Sequence, residues 1–142
     1  AEEKVDAIEI GFILEHVNDP SALINRYSKF LKPDGSIFIT VPNAKSLHRQ
    51  IGHNAKLLDS LKRLSRYDLE LGHKRYFDME SIVKLVLESG LKIVNIEGIY
   101  LKPFSTSQLR SLKLLPEVVN ALCYVGVDYP DISNAKYIQA TL

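Results

Sequence analysis

Two short clusters of polar residues could carry out acid–base chemistry in this sequence. Glu15 and His16 directly follow an apolar run, and His73 lies in the run Gly72–Phe77, which is dense in groups that titrate, donate or stack. An imidazole titrates near neutral pH, so His73 is a candidate general base. A structural pairing of Glu15 with His16, and simple surface exposure of 72–77, are the alternatives that the sequence leaves open.

Two other kinds of site are not supported by the residue spacing. His48 and His53 are five residues apart, which on a helix separates them by about 140° and prevents joint ligation from one face. No G-x-S-x-G run is present, and Cys123 lies in an apolar stretch typical of a small buried residue. The sequence therefore predicts neither a metal site nor a hydrolase nucleophile.

The first half of the chain alternates strand, helix and strand. The run Val5–Phe12 is apolar on both alternating faces, as in a strand of a parallel sheet that is covered on both sides. Asp19 and Pro20 form a strong helix start, and a second strand is predicted over Ser36–Val41. Such a unit is right-handed and pairs its strands in parallel, so residues 11–16 and 41–43 are expected to line one rim of the sheet.

Residues 44–76 interrupt this alternation as an insertion. The insertion contains eight lysines and arginines against three acidic residues, and its leucines at 57, 58, 61 and 64 predict a helical segment. Its basic character fits either a solvated helix face or a lid that receives an anionic substrate.

The remainder of the chain returns to alternating helices and strands. The predicted elements are a helix capped by Asp78 and stopped at Gly90, a strand over Lys92–Tyr100, a helix with a capping box at Ser105, a helix from Pro116 ended by Gly126, and a strand over Ala135–Leu142.

Composition limits the classes of partner. The net charge is +1 over 142 residues, so no field of one sign attracts nucleic acid or an anionic membrane. No run approaches the roughly 20 apolar residues of a membrane-spanning helix. With a single cysteine, the expected compartment is the reducing cytoplasm, with no nucleic-acid partner and no membrane association.

The order of these runs resembles the class I S-adenosylmethionine-dependent methyltransferases of small molecules. The residues that carry the resemblance are Val5–Ile8, Leu14–Pro20, Leu31–Gly35 and Val41–Asn43, and the later Leu71–Tyr76 and Gly98–Pro103 resemble one branch of the family. The resemblance spans most of the chain. Another interpretation, half of a nicotinamide-dependent dehydrogenase, explains the alternation of strands and helices but not the runs Leu14–Pro20 and Leu71–Tyr76.

The resemblance implies an α/β fold that is an incomplete version of the Rossmann-like methyltransferase fold. Family members have seven strands in the order 3-2-1-4-5-7-6, and this chain would supply the fourth to seventh. The expected structure is therefore a single domain over 1–142, the carboxyl-terminal half of a methyltransferase domain, with a mixed sheet of about four strands. Its last strand would be antiparallel and would lie between the second and third. The family's glycine loop and ribose-binding acid belong to the other half.

The resemblance also implies site residues. S-adenosylmethionine would be the cofactor, and its expected contacts are Gly11, Phe12, Ile13, Glu15 and His16. The implied catalytic residues are His73 and His16, with His16 near the methyl-bearing end. The implied contacts of a small-molecule methyl acceptor are Asn43, His48, Arg49, Arg75 and Tyr76, either arginine pairing a carboxylate or phosphate.

Two functions follow from this resemblance. The first is methyl transfer to a small molecule as part of a longer enzyme, with this chain alone lacking tight cofactor binding. The second is a non-catalytic split or degenerate module that acts by interaction through the exposed edge of its first strand, including self-association.

Overall fold

A computed structural model describes residues 3–142 as a four-stranded mixed sheet with flanking helices. The strands are β1 (Val5–Gly11), β2 (Leu31–Pro42), β3 (Lys92–Ile99) and β4 (Ala135–Thr141), in the sheet order β1-β2-β4-β3. β1 is parallel to β2, whereas β4 is antiparallel to both of its neighbours. The predicted α/β class and the antiparallel last strand between the second and third strands are confirmed.

Six helices are described in these residues, and most begin where the sequence predicts. They are α1 (Pro20–Ser28), α2 (Leu47–Asn54), α3 (Arg66–Glu70), α4 (Met79–Glu88), α5 (Thr106–Ser111) and α6 (Pro116–Val127). Asp19 accepts a hydrogen bond from the amide of Ala22 at 2.9 Å, and Asp78 and Ser105 form capping boxes. The predicted caps are confirmed. No helix in residues 3–142 is long and apolar enough to cross a membrane.

The core lies on one face of the sheet. Ile37 and Ile39 of β2 are opposite Ala140 and Ile138 of β4, so these alternate residues share a face. Buried side chains of α1 and α4 join them in one cluster, which includes Ile24, Ile82 and Val86. Helices α1 and α4 also contact each other. This packing fixes the carboxyl ends of the strands, where the loops with polar residues begin.

Several features differ from the sequence prediction. Strand β2 begins at Leu31 rather than Ser36, because residues 32–35, predicted as a turn, form an irregular extension that shifts the register against β1. No helix covers Leu57–Leu64; the segment forms turns between α2 and α3, and Leu57 is exposed. Cys123 is exposed rather than buried, because α6 packs on β3 with only part of its apolar surface.

Gly126 lies inside the last turn of α6 and does not end the helix. A Cβ at this position would be 2.6 Å from the amide nitrogen of Leu101, and one at Gly98 would be 2.0 Å from the Gly126 carbonyl oxygen. The two glycines therefore allow α6 to approach β3 at backbone distance.

Strand β1 forms one border of the sheet. It pairs with β2 on one side, and among the described residues no strand pairs with its other side. A cavity of about 320 Å³ lies along this border and is lined mostly by apolar side chains, namely Ile8, Glu9, Ile10, Ile13, Leu23 and Tyr27. Phe12 and Ile13, which follow the strand, are also exposed. Val5, Asp6, Ala7 and Glu9 of the strand are exposed as well and only Ile10 is buried, so the border carries both apolar and charged side chains. The predicted covering of β1 on both faces is not present among the described residues.

Candidate functional site

The loops that follow β1, β2 and β3 meet at one rim of the sheet. β3 and β2 are both antiparallel to β4, so β1, β2 and β3 run in the same direction and end at the same side. In open α/β sheets, ligands bind beyond these carboxyl ends. The loops concerned are residues 12–18, 43–46 and 100–105.

Arg75 holds the loop after β1 in place. Its guanidinium donates hydrogen bonds to the carbonyl oxygens of Leu14 at 2.8 Å, of Asn18 at 3.2 Å, and of Val17. The sequence assigned Arg75 to the anion of a methyl acceptor. Its contacts are instead with three backbone carbonyls, so its donors position the loop that carries Glu15 and His16.

Glu15 is a buried carboxylate without a hydrogen-bond partner. Only 1% of the residue is exposed, and neither carboxylate oxygen is bonded within the described residues. Burial raises the pKa of Glu15, while its own backbone amide and the charges of His16 and His73 act in the opposite direction. The backbone of Glu15 is fixed by a 2.8 Å hydrogen bond from the amide of Lys74 to its carbonyl oxygen.

Glu15, His16 and His73 form one compact group, hereafter the Glu15 cluster. His16 Nε2 is 3.9 Å from Glu15 Oε1, and the two imidazole rings meet edge to face with centroids 4.6 Å apart. One potential ligand atom from each residue lies within 4.8 Å of the other two. The spacing of His48 and His53 gave no sign of this group, because Glu15 and His16 are far from His73 in the sequence.

A second acidic residue, Asp68, lies beside the imidazole ring of His73. Asp68 Oδ1 lies 3.5 Å from His73 Nδ1, and it accepts a hydrogen bond of 3.0 Å from the Tyr76 hydroxyl. Burial alone would raise the pKa of Asp68, but hydrogen bonds from Ser65 and Tyr76 outweigh it and hold the pKa below its usual value. Gly72 precedes His73 with φ 81°, a conformation that favours glycine and turns the chain toward His16.

A cavity of about 430 Å³ adjoins the Glu15 cluster at His73. We call it the rim pocket. Residues from the loops after β2 and β3 and from the insertion line it, including Asn43, Ser46, His48, Arg49, Asp68, His73, Tyr76, Lys102 and Thr106. Its volume is within the range of small-molecule sites.

The electrostatics of the rim pocket keep two of its side chains neutral. Burial, with the positive charges of Lys102 and Arg49, lowers the pKa of His48 to about 4, and its Nδ1 is 3.1 Å from the Ser46 hydroxyl. Burial, with a smaller contribution from Asp68, raises the pKa of Tyr76 to about 12. Near neutral pH both side chains therefore act as neutral hydrogen-bonding groups.

Two further residues expected to contact the acceptor instead donate their side-chain hydrogen bonds to backbone carbonyl oxygens. The Arg49 guanidinium donates to the carbonyl oxygens of Leu61 and Arg63 at 2.6–3.0 Å and lies 4.1 Å from the centroid of the Tyr76 ring. The Asn43 side-chain amide donates to two carbonyls of the loop before β4, at 2.8 and 2.9 Å. Both residues line the rim pocket, but these contacts make them supports of its walls.

The expected cofactor contacts are divided between two surroundings. Gly11 ends β1, and a Cβ there would lie 3.3 Å from a carboxylate oxygen of Glu9, whose side chain is the nearest group to this position. Phe12 and Ile13 are exposed beside it, and Phe12 has φ 51°. Glu15 and His16 lie further along the same loop, in the Glu15 cluster.

Sequence reasoning did not assign a role to Asp68 or Lys102. The run Ser65–Asp68 has the spacing of a capping box, which the structure contains, and this signal would have placed Asp68 at a helix start near His73. Lys102 follows β3 closely, so the rule for carboxyl ends of parallel strands would have placed it at the rim.

Comparisons with known proteins agree with this geometry. A family model described as a methyltransferase domain matches residues 1–96. The chain is 32% identical over 111 residues, 77% of its length, to the ubiquinone biosynthesis O-methyltransferase of Bartonella bacilliformis, of which it covers 43%. Two solved structures named as S-adenosylmethionine-dependent methyltransferases are also similar.

The first of these structures is a protein of Mesorhizobium loti, with a TM-score of 0.56 and 13% sequence identity; the match covers 100% of this chain and 63% of that protein. The second is a protein of Archaeoglobus fulgidus, with a TM-score of 0.52 and 18% sequence identity; the match covers 99% of this chain and 61% of that protein. At such identities the likeness concerns the fold. The chain spans less than half the length of the curated relative and less than two thirds of these two structures. Because the family model covers more than half of the sequence, the chain belongs to the class I S-adenosylmethionine-dependent methyltransferases.

Proposed function

We propose that this chain takes part in methyl transfer from S-adenosylmethionine to a small molecule, as part of a longer enzyme. The observation that carries the proposal is the junction between the loop after β1 and the rim pocket. At this junction the Glu15 cluster lies between the open end of the strand and a cavity of about 430 Å³. The two sides would receive the cofactor and the methyl acceptor.

The end of β1 is suited to one wall of a cofactor site. Gly11 has no side chain to cover its own backbone, and Phe12 and Ile13 offer exposed apolar surface beside it. S-adenosylmethionine, when bound, supplies an electrophilic methyl group on a sulfonium. The glycine loop expected of the family is not in this sequence. We therefore propose that this chain by itself binds the cofactor weakly.

The rim pocket is suited to orienting a small polar acceptor. Holding two reactants in line can contribute about 7–11 kcal/mol of the barrier reduction. His48 and Tyr76 offer neutral hydrogen-bonding groups, and Lys102 adds a cationic side chain. We assign Arg49, Asn43 and Arg75 to positioning rather than to direct acceptor contact, on the basis of their backbone hydrogen bonds.

The Glu15 cluster would promote loss of the acceptor's proton. A hydroxyl acceptor must lose its proton during methylation, and His73 both lines the rim pocket and belongs to the cluster. The name of the Bartonella relative, an O-methyltransferase, supports an oxygen acceptor.

The direct test is methyl transfer by the complete reading frame that contains this chain. Label is followed from methyl-labelled S-adenosylmethionine into a panel of small phenols and alcohols. We expect His73→Ala to reduce turnover about 100-fold or more, whereas the exposed His53→Ala leaves it unchanged. Equal turnover in the wild type and His73→Ala would exclude His73 from the chemistry.

A non-catalytic module is the second candidate, and the border of β1 favours it. An unpaired strand edge beside an apolar cavity can receive a strand of a partner or of a second copy. Replacing Ile8 with Lys on this border would abolish such association. If association is lost in this variant while the complete reading frame transfers no methyl group to any acceptor, the module is the correct function.

A further inference from the structure

The starting observation is the buried carboxyl group of Glu15. The carboxylate is 1% exposed and has no hydrogen-bond partner among the described residues. A buried carboxylate without a hydrogen-bond donor is strongly disfavoured, so native proteins pair it, bind it to a metal or raise its pKa until it is neutral. A group that points into the interior without a partner requires a physical explanation.

The nearby cations do not supply that partner. Arg75 donates to the carbonyls of Leu14, Val17 and Asn18, and the Lys74 ammonium group bonds to the side chain of Asn18. The groups that face the carboxylate are the imidazoles of His16, 3.9 Å away, and His73. Neither imidazole is within hydrogen-bond distance of it.

We propose that Glu15, His16 and His73 bind a divalent transition-metal ion. One carboxylate and two imidazoles form a set of nitrogen and oxygen ligands that suits zinc, manganese, iron or cobalt rather than magnesium or calcium, which prefer oxygen ligands alone. The three ligand atoms lie within 4.8 Å of one another, close enough for small side-chain adjustments to place them around one ion. The ion would balance the buried charge of Glu15.

The residues around the cluster fit this assignment. A metal-bound histidine usually has its other ring nitrogen oriented by a carboxylate, and Asp68 Oδ1 lies 3.5 Å from His73 Nδ1. Asp68 is itself fixed by Tyr76 and Ser65. The unbonded Nδ1 of His73 would gain a defined proton position when the ring binds the ion.

A three-ligand site leaves coordination positions open. His16 is partly exposed and His73 lines the rim pocket, so an oxygen ligand from the pocket could reach the ion. Resting on the proposed function, this deepens it: the acceptor class would be a hydroxyl compound whose oxygen binds the ion. The ion lowers the pKa of this hydroxyl so that its proton passes to solvent water, and His73 then serves as a ligand and not as the base. The metal site itself stands on the geometry of Glu15, His16 and His73 alone.

Cobalt(II) is a suitable probe because its visible absorption reports ligand type and number. The purified metal-free chain is titrated with cobalt, followed by displacement with zinc, and the metal content is measured after gel filtration. We expect one ion per chain, and binding weakened about tenfold or more in Glu15→Gln, His16→Gln and His73→Gln. His53→Gln, which alters an exposed histidine outside the cluster, should bind as the wild type does.

Circular dichroism shows which variants remain folded. If the Glu15 and His73 variants do not fold, His16→Gln still tests the site, because His16 is the most exposed of the three ligands. No saturable binding by the wild type, or equal binding by the wild type and the three ligand variants, would overturn the metal site. Metal binding with the expected variant pattern but no methyl transfer would instead refute the proposed function and leave the site intact.

Discussion

The Tyr76 hydroxyl donates a hydrogen bond of 3.0 Å to Oδ1 of Asp68, the same oxygen that lies 3.5 Å from His73 Nδ1. The carboxylate of Asp68 thus joins a neutral phenol on one side to the imidazole of the Glu15 cluster on the other. Because α3 supplies Asp68 and the loop between α3 and α4 supplies His73 and Tyr76, this contact joins α3 to the loop that reaches the Glu15 cluster.

We expect Tyr76→Phe to reduce the free energy of unfolding by about 1 kcal/mol at neutral pH, since one hydrogen bond to a buried carboxylate is lost. The phenyl ring retains the contact with Arg49. The pKa of Asp68 is lowered in the folded protein, so its stabilising effect is lost as pH falls through that pKa. Urea unfolding from neutral to acidic pH should show a smaller acid loss in the variant; an identical pH dependence would contradict this role of Tyr76.

His48 should contribute to acid sensitivity at higher pH than Asp68 does. Burial lowers its pKa to about 4, against 6.5 for the free side chain, so the unfolded chain binds the extra proton between these values. Stability due to neutral His48 is therefore complete above about 6.5 and declines toward about 4. His48→Gln keeps a neutral polar group, so the stability difference from the wild type should change in this window, measured by urea unfolding. A constant difference would show that His48 is not held neutral.

Arg75 should control the order of the loop after β1. Lysine cannot reproduce three hydrogen bonds from one planar guanidinium, so Arg75→Lys should release the carbonyls of Leu14, Val17 and Asn18. Hydrogen exchange by mass spectrometry is expected to show faster exchange across residues 14–18. Lys84→Gln, on the exposed face of α4, provides the control. Unchanged exchange in Arg75→Lys would mean that the loop is held by other contacts.

The contact of α6 with β3 predicts an asymmetric result for two glycines. Gly126→Ala should lower the free energy of unfolding by about 1–3 kcal/mol, because the added methyl group collides with the backbone at Leu101. Gly52→Ala in α2 meets only Leu58 Cβ at 3.9 Å and should be neutral or stabilising by up to about 1 kcal/mol. Thermal unfolding of both variants measures the difference; equal melting temperatures would contradict the close packing.

The fold was largely accessible from local sequence signals, whereas the site was only partly so. Asp19, Asp78 and Ser105 are caps that depend on a few neighbouring residues, and each begins a helix as predicted. The leucines of residues 57–64 fit a helical period, but the segment forms turns in which Leu57 is exposed and the other three leucines are half-buried. Caps were therefore predicted correctly because they depend only on neighbouring residues, whereas the leucine pattern alone did not determine a helix.

Contacts between distant segments decided the rest. Glu15 and His73 were each identified as candidates, but their proximity depends on how the insertion folds against the loop after β1. Arg49 and Arg75 carry the charge expected of an anion site, and the sequence does not reveal that backbone carbonyls occupy their donors. The side-chain type was visible in the sequence, and the hydrogen-bond partner was not.

The proposed methyl transfer requires that the end of β1 and the adjoining loop form one wall of the cofactor site. The most direct measurement is a titration of the ¹⁵N-labelled chain with S-adenosylhomocysteine, followed by amide chemical shifts. We predict shifts at residues 11–16 and at His73, which are lost in Gly11→Val, where the new side chain covers the backbone at the end of β1, and retained in Lys84→Gln. Absence of any shift at millimolar ligand, or shifts confined to α5 and α6, would contradict the account.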